Sequence, residues 1–379
     1  MKMPPINVVH GVHWPRSGIV SLLKNMLPLF DSKKFVHHVI FFEHDEQTME
    51  NFSKICESVH SLFFSSSKLK AIVKYYKLLQ QISPDILHTH SFQPGLWGRI
   101  FLRTKAKFIC TIHSMYPYFT SSDLKSLIKR ILESYSIRYH KVTVVCVSDE
   151  VKKVVETMIP KCCVKVIQNG IAIGNWNTHN IKRDTLNLNT LNLKGSQIIL
   201  VTLGRLDYQK GYDILLKAFA KVTAQISNTR LIIIGDGNER KKLEKMAIKL
   251  GIAEEVTFTG YQSNPFPYLV VSDIYVCSSR YEGFGLSIAE GMLFGLPVIA
   301  TRIGGIPSLI QNGETGLLVA PENTEKLADS ILRLIKDENL RHKIGQKGKL
   351  FIQKHFDIKK TVKKYEETYI DLISNSKGI

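Results

Sequence analysis

The chain has 379 residues, 44 % of them hydrophobic and 22 % charged, which excludes disordered and fibrous classes and leaves room for two domains with full cores. The formal net charge is +18, with 23 Lys+Arg against 12 Asp+Glu in residues 1–180 and 28 against 21 in the remainder. Such a balance favours anionic partners: nucleic acid, an acidic membrane surface or phosphorylated substrates.

The start, MKMPPINVVHGVHW, lacks the long apolar core and cleavage site of a secretory signal. No apolar run approaches the ~18 residues of a membrane-spanning helix. Residues 6–10 read as a strand, followed by a Pro/Ser/Gly loop and an apolar-periodic helix over about 19–30. Further strands are expected at 35–42, 85–88, 107–112, 142–147 and 165–167, with a helix at 69–81. Short apolar strands alternating with helices predict a parallel sheet covered on both faces. Residues 172–197 are rich in Asn and Thr and read as a domain boundary. The alternation then restarts, with strands at 198–201, 230–234, 256–259, 274–277 and 297–301 and helices near 212–224, 239–250, 287 onward and 325–336. A basic amphipathic helix is expected at 358–373. The six cysteines show no CxxC or zinc-type spacing and read as free thiols of a reducing cytoplasm.

Three segments carry chemistry. Gly204-Arg205-Leu206-Asp207-Tyr208-Gln209-Lys210-Gly211 follows an apolar strand, where open α/β sheets bind ligands. Arg205 can fork onto two phosphate oxygens and Lys210 adds a point charge, a pair suited to a diphosphate. The stretch Glu282-Gly283-Phe284-Gly285-Leu286 turns into a helix whose N-terminus offers free N–H groups to phosphate, with Glu290 a turn inside. Ser287-Ile288-Ala289-Glu290 also reads as a capping box, with Ser287 as N-cap. In the first half His113 follows a strand, and His10, His13, His88 and His90 reach the same sheet edge.

There is no complete G-x-G-x-x-G, no P-loop and no Asp-x-Asp pair to hold a metal diphosphate. The cluster Glu43-His44-Asp45-Glu46 reads as a polar loop rather than a metal site. Residues 67–80 and 124–141 each combine an apolar stripe with lysines and arginines. Both a membrane-surface helix and an ordinary helix packed on a sheet fit this pattern, and packing is preferred.

In order along the chain stand Ser17-Gly18, His113 in TIHS, Asn169-Gly170-Ile171, Gly204-Arg205-Leu206 with Lys210-Gly211, GDGNER, Val256 to Gly260, SSRYEGFGLSIAEGMLFGLPVIAT and Gly304-Gly305-Ile306-Pro307. Over nearly its whole length the chain therefore resembles the retaining nucleotide-sugar glycosyltransferases of the GT-B fold, the group 1 or family-four type. The resemblance implies an α/β protein of two facing Rossmann-like domains: an acceptor domain at 1–178, a donor domain at 179–355 and a crossover helix at 356–379 that packs on the first domain. It implies transfer of a sugar from a nucleotide diphosphate sugar, with retention, to a hydroxyl of a glycan or lipid-linked acceptor in cell-surface polysaccharide or glycolipid synthesis.

By position, Arg205 and Lys210 would hold the diphosphate together with Gly204 and the turn Gly283, Phe284, Gly285 and Leu286. Glu290 would accept from the ribose, Glu282 would contact the transferred sugar, and Tyr261 would border the base. Gly18 would approach the phosphates and His113 the reacting sugar carbon. Ser17, Ser114 and Ser308 depart from the family pattern. No cofactor or metal is expected, and no nucleic acid. A cytoplasmic location is expected, with loose attachment to the anionic inner face of the membrane left open. A nucleotide-sugar epimerase, a glycosyl phosphorylase and, more remotely, a nucleic-acid-binding protein are the competing classes.

Overall fold

The computed structural model of the chain describes residues 4–101, 106–114, 124–174 and 197–374. They fall into two compact units, Met1–Ala172 with Asp357–Ile379, and Ile173–Phe356. The boundary expected at 178/179 lies outside the described residues, as does most of the Asn/Thr-rich stretch around it.

The first unit holds strands β1 (Ile6–Val12), β2 (Phe35–Phe41), β3 (Ser58–Ser61), β4 (Ile86–Thr89), β5 (Lys107–Ile112), β6 (Thr143–Cys146) and β7 (Cys163–Val166). They form one parallel sheet in the order β3-β2-β1-β4-β5-β6-β7. Its helices are α1 (Gly18–Met26), α2 (Glu46–Ser53), α3 (Lys68–Ile82), α4 (Phe92–Phe101), α5 (Leu124–Tyr139) and α6 (Asp149–Met158).

The second unit holds β8 (Ile198–Leu203), β9 (Thr229–Ile234), β10 (Val256–Gly260), β11 (Ile274–Cys277), β12 (Val298–Thr301) and β13 (Leu317–Val319). These are parallel in the order β10-β9-β8-β11-β12-β13. Its helices are α7 (Tyr212–Thr223), α8 (Arg240–Lys249), α9 (Phe266–Val271), α10 (Leu286–Leu293), α11 (Ile306–Leu309), α12 (Thr324–Lys336) and α13 (Glu338–His355). Leu200, Leu215, Phe219, Leu231, Ile274 and Ile331 are among the fully buried side chains of its core. Near-continuous Val/Ile/Leu strands are what a sheet covered on both faces requires.

In each sheet the strand order reverses once, between β1 and β4 in the first and between β8 and β11 in the second. Loops leaving the carboxyl ends of such a strand pair diverge and open a crevice for a ligand. Gly204 to Lys210 follow β8 and Ser278 to Gly285 follow β11, so the donor motifs fall at that point of the second sheet.

Helix α14 (Ile358–Ser374) belongs to the first unit. Thr361 Oγ1 donates to the Gln168 carbonyl at 2.9 Å, and the Tyr369 hydroxyl hydrogen-bonds with His88 Nδ1 at 2.7 Å.

Several expectations about the elements are corrected. The first helix stops at Met26, because Pro28 cannot continue the α-helical ladder and Leu27–Leu29 close as a 3-10 turn. Strands β3 and β13 and helices α2, α4, α6, α9, α11 and α13 were not foreseen. A further correction concerns α5.

Helix α3 packs on the first unit through Ala71, Tyr75, Leu78 and Leu79, whereas the stripe read from the sequence, Leu69, Ile72, Val73 and Tyr76, is not its buried face: Leu69 and Val73 are exposed. Helix α5 departs further. Its inner face carries Glu133, Ser134, Ser136 and Ile137, all buried. Arg99 of α4 bonds there to Glu133 at 2.8 Å and donates to Ser136 Oγ at 2.5 Å. Leu124, Leu127, Ile128, Ile131, Tyr135 and Tyr139 recur at helical spacing on the outer face, each at least 42 % exposed.

Candidate active site

Leu206 is fully buried and anchors the loop after β8. Its N–H donates to the Asp236 carbonyl at 2.9 Å, and the Glu239 N–H donates to its carbonyl at 3.0 Å. This fixes the flanking Arg205, which stays exposed and bonds to Asp207 at 2.7 Å. The loop ends in a 3-10 turn, Tyr208–Lys210, that aims Lys210 inward.

Lys210 Nζ meets Glu282 Oε2 at 2.7 Å, with the two side chains only 19 % and 13 % exposed. Burial works against the lysine charge, but the charge and hydrogen bond of Glu282, together with Cys277 and Tyr212, outweigh it and the Lys210 pKa is raised. The two residues stand 72 positions apart in sequence and come together only through the β8–β11 pairing. Sequence reasoning gave them separate roles and did not join them.

A third charged residue at this edge was missed. Arg280 follows β11 and donates to both Asp213 oxygens at 2.8 Å, bonds to Glu322, and donates to the Tyr208 carbonyl at 3.1 Å. Its guanidinium lies 4.2 Å from the Tyr208 ring centroid. Arg280 thus clamps the turn that carries Lys210. The available signal was an arginine just beyond an apolar strand, the same placement that singled out Arg205.

The turn from Glu282 to Gly285 is shaped by close backbone packing. Gly285 has φ +99° and forms the N-cap of α10. Gly304 has φ +52°, and a Cβ there would lie 1.7 Å from the Glu282 carbonyl oxygen. Only glycine allows both that conformation and that approach. Helix α10 begins at Leu286 without any side-chain cap, so the expected capping box is not formed. Ser287 is already inside the helix and hydrogen-bonds Tyr275 instead. The first N–H groups of α10 are therefore left for a ligand or water.

Glu290 lies one turn into α10, and its carboxylate makes no hydrogen bond among the described residues. Burial pushes its pKa up to about 7. A carboxyl desolvated and left unpaired next to a helix start is an acceptor waiting for hydroxyl donors. Arg205, Lys210, Glu282, the turn Gly283 to Leu286, and Glu290 thus gather at one edge of the second sheet with Gly204. Tyr261 follows the outermost strand β10 at the same carboxyl edge and is 55 % exposed.

Gly18 and His113 belong to the first unit. Gly18 opens α1 and is exposed. His113 follows β5, and burial lowers its pKa to about 4, so the ring is neutral at pH 7. Its Nε2 lies 3.1 Å from His90 Nδ1. The loop Glu43 to Glu46 is used structurally: Asp45 caps α2 and bonds Arg16, and Glu43 accepts from Ser65. His10, His88 and His90 bring ring nitrogens within 4.8 Å of one another. Both nitrogens of each are occupied by hydrogen bonds, apart from any metal.

Residues 185–351 match the family model for glycosyl transferases group 1, and residues 16–174 match that for glycosyltransferase family 4. The chain is 27 % identical over 376 residues to the N-acetyl-alpha-D-glucosaminyl L-malate synthase of Bacillus anthracis, covering 97 % of this chain and 91 % of that protein. It is 26 % identical over 314 residues to the UDP-Gal:alpha-D-GlcNAc-diphosphoundecaprenol alpha-1,3-galactosyltransferase of Escherichia coli, covering 81 % and 80 %. Among solved structures, Anabaena HepE in complex with UDP and glucose superposes with a TM-score of 0.83 at 19 % identity, covering 97 % of this chain and all of that one.

Proposed function

The chain belongs to the group 1 glycosyltransferases and has their two-domain GT-B fold, and from that premise we propose that it moves a sugar from a nucleoside diphosphate sugar to a hydroxyl of a glycan or lipid-linked acceptor, retaining the anomeric configuration. The observation that carries this is the buried Lys210–Glu282 pair set beside the uncapped start of α10 at the switch point of the second sheet. In this reading the diphosphate takes Lys210, Arg205 and the N–H groups of the turn, while Glu290 accepts from the ribose. Glu282, released from Lys210, accepts from the transferred sugar, and His113 meets that sugar near its reacting carbon.

Negative charge grows on the departing phosphate oxygen, and preorganised cations and N–H groups stabilise it without reorganising. The site's own cations do this work, and the chain has no Asp-x-Asp pair, so the proposed reaction needs no metal. Retention follows if the leaving phosphate takes the acceptor proton on the face it departs from. Support for a uridine donor and a lipid-linked acceptor comes from the UDP complex of HepE and from the name of the Escherichia coli relative. Slow hydrolysis of an α-linked UDP-sugar, followed by proton NMR, should release the α-anomer first. Initial release of the β-anomer would contradict retention.

The same reading places the enzyme at the anionic cytoplasmic face of a membrane, held by α5. No described helix is long and apolar enough to cross a bilayer. The outer side of α5 instead offers seven large apolar side chains, Leu132 included, flanked by Lys129, Arg130, Arg138 and Lys141, while its one acidic residue, Glu133, is buried. A second copy of the chain would set like charges against like, whereas an anionic lipid surface complements them. Sedimentation with vesicles containing phosphatidylglycerol should deplete the protein from solution, and phosphatidylcholine vesicles should not. Ile131→Glu should weaken the binding by about tenfold or more, from the lost apolar burial alone. Equal binding of the variant, or a dimer that Ile131→Glu abolishes, would overturn this assignment.

A further inference from the structure

Four histidines of the first unit form a single hydrogen-bonded file. His37 Nδ1 lies 3.0 Å from His10 Nε2, His10 Nδ1 lies 3.2 Å from His90 Nε2, and His90 Nδ1 lies 3.1 Å from His113 Nε2. Their scattered positions in sequence become neighbours because β2, β1, β4 and β5 are adjacent in the sheet and each supplies one ring, from the strand or just past its end. His88 lies beside the file, its ring centroid 4.1 Å from that of His90, with its nitrogens held by Tyr369 and Thr111.

The file has a simple proton count. A neutral imidazole carries one N–H and one bare nitrogen, and each of the three contacts needs one proton between its two nitrogens. Placing the proton on Nδ1 of one ring forces it onto Nδ1 of all four, and placing it on Nε2 likewise propagates. Only two arrangements exist, and they differ at the two ends. In one, the fourth proton sits on His113 Nδ1; in the other, on His37 Nε2.

These ends are not alike. His37 Nε2 is buried and has no hydrogen-bond partner among the described residues, and the ring packs against Phe30 at a centroid distance of 4.5 Å. A buried N–H without an acceptor is among the rarest defects in folded proteins, and an unused acceptor is better tolerated. His113 is only partly buried, so a water or a ligand can accept from its Nδ1. Burial also keeps the rings neutral: the pKa values of His10 and His90 are pushed well below the ordinary value and that of His37 to about 4.

We infer that His90, His10 and His37 are positioning residues for His113, holding it in the Nδ1–H form so that it meets a ligand as a hydrogen-bond donor and not as a base. The file is closed at its inner end, so it carries no net proton and serves to fix one tautomer and one ring orientation. The part of this inference that concerns the sugar rests on the reading that His113 faces the donor substrate. The tautomer does not.

The test uses the full chain labelled with 15N-histidine, without ligand, at pH 7.5. Long-range proton–nitrogen correlation should show His113, identified by the signal lost in His113→Asn, with a protonated Nδ1 and a bare Nε2. His37→Asp replaces the inner end by an acceptor-only oxygen, which can pair with His10 only through an Nε2–H, so the file should reverse and His113 should carry its proton on Nε2. The lost donor at Nδ1 should also lower kcat about tenfold, the factor one neutral hydrogen bond is worth, with little change in KM for the donor. If His37→Asp does not fold, His37→Asn, whose amide can donate to or accept from His10 Nε2, should turn the single tautomer into a mixture. A protonated Nε2 at His113 in the unmodified chain, an unchanged tautomer in the His37 variant that folds, or a stoichiometric metal found in the purified protein would each overturn the inference. A confirmed tautomer combined with full activity of His113→Ala would instead overturn the role of His113 in catalysis and leave the file standing.

Discussion

Lys210→Ala is expected to lower turnover at saturating donor by about 10² to 10³-fold, the loss seen when one preorganised donor to a developing oxyanion is removed. The lysine is buried and aimed by a fixed turn, since Arg280 clamps Tyr208–Lys210 through Asp213, Glu322 and the Tyr208 carbonyl. Arg205 is exposed and paired with Asp207 at the surface, so its replacement should cost less. Removing Lys210 also leaves the Glu282 carboxylate largely buried without its partner, which destabilises a fold by roughly 3–5 kcal/mol when one member of a buried pair is lost. The two effects separate in Lys210→Met combined with Glu282→Gln, in which no charge is stranded. That double variant should recover thermal stability while remaining catalytically impaired. Full turnover of Lys210→Ala would remove Lys210 from the mechanism.

Acid should destabilise the first unit strongly. Unfolded histidines titrate near 6.5. In the fold, burial lowers the values of His10, His88 and His90 well below this and that of His37 to about 4. Between the two values the unfolded chain binds protons that the folded chain does not, so lowering the pH favours unfolding. The stability supplied by these neutral rings is complete above pH 6.5 and is lost as pH falls from 6.5 toward 4. Each ring contributes about 1.4 kcal/mol per pH unit within that window. Four together give a fall in melting temperature of more than about 10 °C between pH 7.5 and pH 5, given roughly 2–4 °C per kcal/mol for a unit of this size. Calorimetry across that range checks it, and a melting temperature flat from 7.5 to 5 would mean that the rings are not neutral and buried together.

Both sheets could be anticipated because their strands are short runs of Val, Ile and Leu bounded by polar turns, a pattern that local sequence carries. Helix α13 could not, because the side of it that packs inward is built from Gly345 and Gly348 as well as Ile344 and Ile352, and glycine gives no hydrophobic period. The donor motifs were legible for a related reason: Gly204-Arg205 lies directly after β8, and Glu282 to Gly285 lie between β11 and a helix start, so local sequence carried their position. What sequence did not carry was any relation across strands. The Lys210–Glu282 pair, the Arg280 clamp and the file from His37 to His113 each depend on which strands are neighbours.

Helix α5 misled for the opposite reason. Its period is correct, but a period says only that a helix has an apolar face, and here the ion pair of Arg99 and Glu133 occupies the inside. At α10 the Ser287-to-Glu290 spacing suited a capping box. Gly285, held at φ +99° beneath the close approach of Gly304 to Glu282, starts the helix two residues earlier and leaves that spacing unused.

The most direct test of a diphosphate site at the second sheet is thermal denaturation of the full chain with UDP, GDP and ADP and their sugar conjugates, repeated with Lys210→Ala. One nucleotide of the set should raise the melting temperature of the unmodified protein in proportion to RT ln(1+[L]/Kd), and Lys210→Ala should lose most of that rise. No shift with any of them, or a shift of equal size in Lys210→Ala, would contradict the account.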